Sequence, residues 1–585
     1  MPQRPSISRA PIRPTGWGNV PPGVTSLLRE LPIVLGGMGL FYSVITLARY
    51  WSSPVTSQAE ISLSPVALPK YALFSVLRIA AAYLLSFVFA LVYGYIAAYN
   101  RRAEQFMVPL LDTLQSIPVL SFLPPVMMSM VALFPSRELG VELGSVLLIF
   151  TGQVWNMTFS FYSSLKSIPT EMREAAFSYR LNWWQRFWQL ELPHAAIGLI
   201  WNSMMSVAGA WFFLMACEMF VLGPRDFRLP GLGSYLQTAA NADDTNAICW
   251  GLAAMIGVII LIDQVIWRPL IAWAEKFKLE QVASSEVPHS PILSLLRSSH
   301  LLPFLSRSLI FPVREKLNMH FANTYTQHTA RNEGKAALQW TLRALVIAAL
   351  GGIAYAVAKL FAVLVTISPA ELRHLLLGAV ATFLRVEIAL LLAALWTVPV
   401  GIALGLRPRL SAIAQPIAQI AASVPATALF PIILLVLIRA GGGLGSGSIL
   451  LLLLGTQWYV LFNVVAGATA IPADLKEVCD TYRLNKTARW RRLFLPGIFP
   501  YLITGLVTAS GGAWNASIVA EYFHFRGQTM STTGLGAIIS QATDNGNFRL
   551  LLSATVVMAI IVVSINRLIW RRFYALAATR FKLET

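Results

Sequence analysis

Apolar runs of roughly 20 residues recur along the chain, divided by short polar and basic stretches. A helix needs about 20 such residues to cross a hydrocarbon layer roughly 30 Å thick. Helices also satisfy their own backbone hydrogen bonds there. The pattern therefore predicts an all-α integral membrane protein with about twelve transmembrane helices. Six fall at about 31–50, 72–98, 106–134, 142–165, 193–221 and 246–272, and six more at about 338–366, 375–405, 411–438, 447–467, 496–522 and 548–572. An even number of spans puts both termini on one side. Tyr50, Trp51, Tyr71, Trp267, Trp273 and Trp570 stand at span ends, where amphipathic rings favour the interface.

The polar segments say one thing twice. Ile168-Pro169, Glu174-Ala175-Ala176, Tyr179-Arg180-Leu181-Asn182 and Leu192-Pro193 return as Ile471-Pro472, Glu477-Val478-Cys479, Tyr482-Arg483-Leu484-Asn485 and Leu495-Pro496, at a constant offset of 303. Gly209-Ala210-Trp211, Glu218 and Gly231-Leu232-Gly233 recur at the same offset. Arg78, Pro109 and Pro118 pair with Arg385, Pro416 and Pro425 at 307, so a small indel lies between the third and fourth spans. Two halves of even span number run in the same direction, and the axis relating them lies along the membrane normal. The predicted organisation is a tail (1–30), a first repeat (31–274) with a polar loop at 166–192, a linker (275–337), and a second repeat (338–585) with its loop at 469–495. The linker's apolar centre, from Pro291 to Pro312, suits a tether or a helix lying in the interface.

Composition sharpens this picture. The 585 residues are 56% hydrophobic and 12% charged, whereas soluble domains carry about a quarter charged residues. The net charge of +18 is spread over alternate loops, as at Arg101/Arg102, Arg268/Lys276 and Arg571/Arg572. That is the positive-inside pattern rather than a nucleic-acid patch. It places both termini and both repeated loops in the cytoplasm. Three cysteines, Cys217, Cys249 and Cys479, imply no disulfide framework. The seven histidines show no metal-ligand spacing, and no catalytic pair of groups stands out. A Gly-rich phosphate loop is absent, so ATP hydrolysis is not expected of this chain.

Each repeated loop mixes Glu and Arg with exposed-type aromatics on short amphipathic helices. Such a surface is suited to being gripped by a partner, with rings filling pockets and charges setting orientation. Within the spans, Asn202, Ser206 and Asn515 could donate hydrogen bonds to a passing solute. The paired Trp211 and Trp514 could form a constriction on the axis. Glu218 and Glu521 could form a gate or salt bridges with Arg78 and Arg385, which are alternatively anion-attracting groups. Prolines such as Pro118 and Pro425 free carbonyls that are tolerated at depth only against protein or water, which sets their spans against the central path.

Glu-Ala-Ala followed by a spaced Leu-Pro resembles the coupling loop of permease subunits of binding-protein-dependent ABC importers. Val108-Pro109-Leu110-Leu111-Asp112-Thr113-Leu114-Gln115-Ser116-Ile117-Pro118, Ser75-Val76-Leu77-Arg78-Ile79 and the Gly-Leu-Gly elements are similar to the nitrate, sulfonate, taurine and bicarbonate group, here duplicated and fused. Where that family carries Gly after the loop helix, this chain has Arg180 and Arg483. The resemblance implies a type I ABC importer fold in the bacterial inner membrane. It also implies two ABC ATPase subunits holding ATP-Mg, a periplasmic or lipoprotein solute-binding protein, and a small anion as cargo. ATPase coupling would then fall to Glu174, Ala175, Ala176, Tyr179 and Arg180, and to Glu477, Val478, Cys479, Tyr482 and Arg483. The path would use Asn202, Ser206, Trp211, Glu218, Trp514, Asn515, Glu521, Arg78 and Arg385. This chain itself would translocate rather than catalyse, with no cofactor of its own. A twelve-helix secondary transporter is the alternative, since such proteins also carry parallel halves.

Overall fold

The computed structural model describes residues 61–277, 291–298, 311–327 and 365–580, apart from short gaps at 116, 135–136, 223–224, 440 and 526–527, and isolated positions between 307 and 362. The first half runs α1 (Leu68–Tyr99), α2 (Arg101–Gln115), α3 (Leu123–Leu133), α4 (Arg137–Lys166), α5 (Thr170–Ser178), α6 (Trp183–Arg186), α7 (Leu192–Glu218), a two-stranded hairpin β1–β2 (Val221–Leu222, Arg225–Asp226), α8 (Leu232–Asn241), α9 (Thr245–Ile262) and α10 (Arg268–Ala274). Two linker helices follow, α11 (Pro291–Ser298) and α12 (Phe311–Gln327). The second half repeats the order as α13 (Pro369–Gly405), α14 (Pro408–Ser423), α15 (Ala426–Arg439), α16 (Leu444–Thr469), α17 (Ala473–Thr481), α18 (Lys486–Arg489), α19 (Leu495–Ala520), β3–β4 (Tyr522–Phe525, Gln528–Ser531), α20 (Leu535–Asp544), α21 (Phe548–Ile565) and α22 (Arg571–Arg580).

Seven helical segments among the described residues are long and apolar enough to cross a membrane: Pro65–Tyr99, Trp183–Glu218, Thr245–Ala274, Pro369–Gly405, Leu444–Thr469, Lys486–Ala520 and Phe548–Ala577. The predicted spans at 31–50 and 338–366 lie outside the described residues, isolated positions in the second excepted. The predicted spans at 106–134 and 411–438 need correction, because each is two helices rather than one. The chain breaks between α2 and α3 at Pro118, and bends by 80° between Ile417–Ser423 and Ala426–Leu434. Proline disfavours the helical region in the residue before it, and Val424 ahead of Pro425 is extended at ψ 115°. Pro124, by contrast, sits in the first turn of α3, where a missing N–H costs nothing. Over the predicted span at 142–165, α4 is 30 residues long but more polar, with Gln153, Asn156 and Thr158 in its middle.

In each half one helix is wedged between two others: α4 between α1 and α7, and α16 between α13 and α19. Leu84, Val88 and Val92 on α1, and Leu377, Val380, Leu384 and Leu395 on α13, point outward and are exposed, as lipid-facing positions would be. The halves also exchange parts. Leu120 is buried in the second half's core, and Ala428 in the first's. Beyond the far ends of α7 and α19, β1 packs on α20 and β3 on α8. The two halves therefore point the same way, and the polar loops that open α7 and α19 share the opposite end of the molecule.

Candidate functional site

Both repeated loops are helical hairpins built on the same local chemistry. Arg180 (φ 49°) and Arg483 (φ 47°) stand in the left-handed region. There they end α5 and α17 as a glycine would. The Leu181 N–H donates to the Ala176 carbonyl and the Leu484 N–H to that of Cys479, each at 3.0 Å. The Arg180 and Arg483 N–H groups reach Phe177 and Asp480. This is the Schellman closure. Asn182 and Asn485 then cap the next turn, their Oδ1 atoms accepting from the Gln185 and Ala488 N–H groups at 2.8 Å. A π-turn (Phe187–Glu191, Trp490–Phe494) leads into each following helix, widening the backbone just ahead of Pro193 and Pro496, which lack a donor. Ala176 and Cys479 face inward, while Glu174, Ala175, Glu477 and Val478 are exposed. Phe177 (86% exposed), Tyr179 (80%) and Tyr482 (75%) project from the hairpins. Rings left this open by the fold are suited to another protein.

At the far end of α7, Glu218 is fully buried. Its Oε1 accepts from the Ser75 hydroxyl (2.7 Å) and Arg78 Nη1 (2.8 Å), and its Oε2 from the Gly233 N–H (2.7 Å). Arg78 also binds Glu142, at 2.6 and 2.7 Å. Glu521 repeats the arrangement with Thr382 (2.8 Å), Arg385 (2.8 Å) and the Gly536 N–H (2.9 Å). Each carboxylate thus seals the N-terminus of the short helix that follows, where a helix dipole favours negative charge. This explains the Gly-Leu-Gly elements: a Cβ at Gly231 or Gly534 would overlap the carboxylate.

Between the halves lies a cavity of about 1390 Å³. Its walls are helical stripes: Trp201, Met204, Met205, Ala208, Gly209 and Phe212 on α7, and Leu454, Gly455, Trp458, Tyr459, Phe462 and Asn463 on α16. From Ser411, Thr469 and Arg268 near the hairpin end it reaches in to Pro425, Ala426 and Asn515. Near its mouth Arg268 Nε binds the Asp263 carboxylate at 3.1 Å, and Gln419 donates to the same group from the other half (3.3 Å).

Of the predicted path residues, Asn515 lines this cavity, its Oδ1 accepting from the Leu120 N–H (3.3 Å). The structure sets the others elsewhere. Trp211 (2% exposed) and Trp514 (0%) sit in the separate cores of their halves and do not meet on the axis. Trp211 lines a small pocket beside the cavity, with Met204, Ala208, Gln419 and Ser423, whereas Trp514, two positions beyond Gly512, turns into the core of its own half. Asn202 and Ser206 also leave the α7 stripe. Asn202 donates to the Gly198 carbonyl (2.9 Å), and the Ser206 hydroxyl is buried without a partner among the described residues. Arg78, Glu218, Arg385 and Glu521 are committed to the far-end networks. Sequence reasoning passed over Trp458, Tyr459 and Asn463. The usable signal was their i, i+1, i+5 placement on one stripe with Gly455.

Residues 86–266 and 397–582 each match the model of the binding-protein-dependent transport system inner membrane component. The chain belongs to that family. It is 27% identical over 200 residues to the nitrate import permease protein NrtB of Leptolyngbya laminosa, covering 34% of this chain and 66% of that protein. Identity is 27% over 196 residues to the bicarbonate transport system permease protein CmpB of Synechococcus elongatus, with the same coverage. It is 29% over 182 residues to the taurine transport system permease protein TauC of Escherichia coli, 31% of this chain and 62% of that one. The chain thus spans just under two thirds of the length of each of these relatives. Two matches on one chain show that the family's domain is duplicated here and fused into one polypeptide.

Proposed function

We propose that this chain is the translocation subunit of an ATP-driven importer for a small anion. The observation that carries the reading is the pair of closed, solvent-facing hairpins at one end of a cavity shared by two parallel halves. Two ATPase subunits, holding ATP-Mg, would take the surfaces around Glu174, Phe177 and Tyr179 and around Glu477, Val478 and Tyr482. A solute-binding protein would deliver cargo at the opposite end, near β1–β2 and β3–β4. The cavity reaching in from the hairpin end corresponds to an inward-facing state. ATP-driven approach of the ATPases would draw the hairpins together and, as rigid-body motion of packed halves, open the path outward. The nitrate, bicarbonate and taurine permeases among its relatives support a small anion as cargo. Membership of a family of inner membrane components supports placement in a bacterial inner membrane.

Charge reversal at both loops tests this. Glu174→Arg with Glu477→Arg should abolish co-purification of the cognate ATPase subunits while the chain still elutes as one sharp peak in detergent. Undiminished co-purification would remove the docking role. Movement of nitrate by the chain alone, driven by an ion gradient, would favour a secondary transporter instead.

A further inference from the structure

Tyr459 occupies a singular place. It lies on the cavity stripe of α16, and its ring stands between two glycines that are equivalent in the two repeats. A Cβ at Gly209 on α7 would lie 3.4 Å from the Tyr459 hydroxyl, and one at Gly512 on α19 would lie 3.4 Å from its Cε2. Positions matched by the repeat lie on opposite sides of the pseudo-twofold axis. A ring touching both therefore sits at that axis, in the throat between the halves. The other copy of the repeat has Asn156 at this position, which does not line the cavity. One phenol, not two, guards the throat.

The hydroxyl makes no hydrogen bond among the described residues, and the cavity it shares is largely apolar, with Phe212, Met205, Ala208 and Leu454 in its walls. A phenolic O–H directed into a partly desolvated space is a donor in want of an acceptor. Nearby amides are already engaged. Asn515 binds the Leu120 N–H and the Gly511 carbonyl, and Asn463 donates to the backbone carbonyl of Tyr459. Among the described lining residues Arg268 is the one cation, and Asp263 neutralises it. The cavity therefore offers an anion hydrogen bonds rather than a fixed positive charge. Such contacts let an ion enter without trapping it.

We infer that Tyr459 is the selectivity element of the path: its hydroxyl donates to a charged oxygen of the passing anion, and its ring closes the throat between Gly209 and Gly512. The ligand class is a small oxyanion, inorganic or a sulfonate, whose oxygens can take this hydrogen bond. The inference rests on the importer reading above.

The test uses the full chain with its cognate ATPase subunits and solute-binding protein in proteoliposomes, with nitrate, bicarbonate and taurine as probes. Tyr459→Phe keeps the ring and removes one oxygen. It should slow ATP-driven uptake of the cargo about tenfold, the scale of one hydrogen bond to a charged group, with ATP turnover kept. Tyr459→Ala should open the throat and let the same anion leak without ATP. Full uptake by Tyr459→Phe would overturn the donor role, and a tight Tyr459→Ala would overturn the closure. No ATP-driven uptake of any probe by the unaltered complex would instead reject the importer reading, and this inference with it.

Discussion

The two halves build the same hairpin and hold it by different means. In the first, Arg186 binds the buried Glu191 at 2.6 Å, and the Tyr99 hydroxyl donates to the same carboxylate at 2.6 Å. Arg186 also lies over the Tyr99 ring, so the hairpin is pinned to the end of α1. In the second, Arg489 stands where Arg186 did, but Phe494 replaces Glu191, and Arg489 turns back to Asp480 within its own hairpin (2.7 Å). The first hairpin also touches the linker: Trp184 Nε1 donates to Asn318 of α12 at 2.9 Å, where the second copy has only Thr487. The cavity wall shows the same divergence. Phe213 fills the notch at Gly152, whereas its counterpart Ala516 leaves the notch at Gly455 open to the cavity. The two halves share a backbone frame and differ in their polar partners and in the cavity wall. The cavity takes more of its lining from the second half than from the first.

The far-end networks sharpen this contrast most. Arg78 holds two carboxylates, Glu142 and Glu218, whereas the counterpart of Glu142 is Gly445 and Arg385 turns to the neutral Thr532 hydroxyl (2.9 Å). Glu521→Gln leaves Arg385 with no counterion among the described residues and should cost about 3 kcal/mol, the low end for a broken buried pair because Arg385 is 14% exposed. Glu218→Gln leaves Arg78 paired with Glu142 and should cost only about 1–2 kcal/mol. Thermal unfolding of both variants in detergent checks the order, and an equal or reversed ranking would end the comparison.

Much of this was legible in the chain. The constant offset of 303 exposed the repeat, the hairpins and the Glu218/Glu521 equivalence, because both halves kept the residues that close turns and bury charge. The breaks at Pro118 and Pro425 were half legible: proline announces a kink, but whether the chain then continues or turns by 80° depends on what packs there. Trp211 and Trp514 were misjudged as partners across the axis, since symmetry says that two residues are equivalent, not that they face each other. Tyr459 was invisible for the opposite reason. Its counterpart is Asn156, so a search for matched pairs passes over it.

The left-handed arginines separate what the halves share from what they do not. Arg180 and Arg483 each occupy a conformation that costs an L-residue about 1 kcal/mol or more and costs glycine nothing sterically. Glycine at either position should leave the closure intact. Arg180→Val or Arg483→Val should open it and speed amide exchange at Leu181 or Leu484 roughly tenfold, because β-branching makes that region worse still. The second hairpin, lacking the tie to α1, should show the larger change. Slow exchange in both Val variants would mean that packing rather than the Schellman bonds holds these turns.

The smallest effect lies at the linker. Trp184→Phe keeps a ring at the first hairpin but removes the N–H that Asn318 accepts, a loss of about 1 kcal/mol. If that bond docks α12, trypsin should cut the linker a few-fold faster in the variant. Lys316 lies beside the contact as a ready cleavage point. Thr487→Ala at the matched position should change nothing, since the second hairpin's Thr487 is exposed and has no such partner to lose. A linker cleaved at the same rate in all three proteins would show that α12 stays in place without this bond.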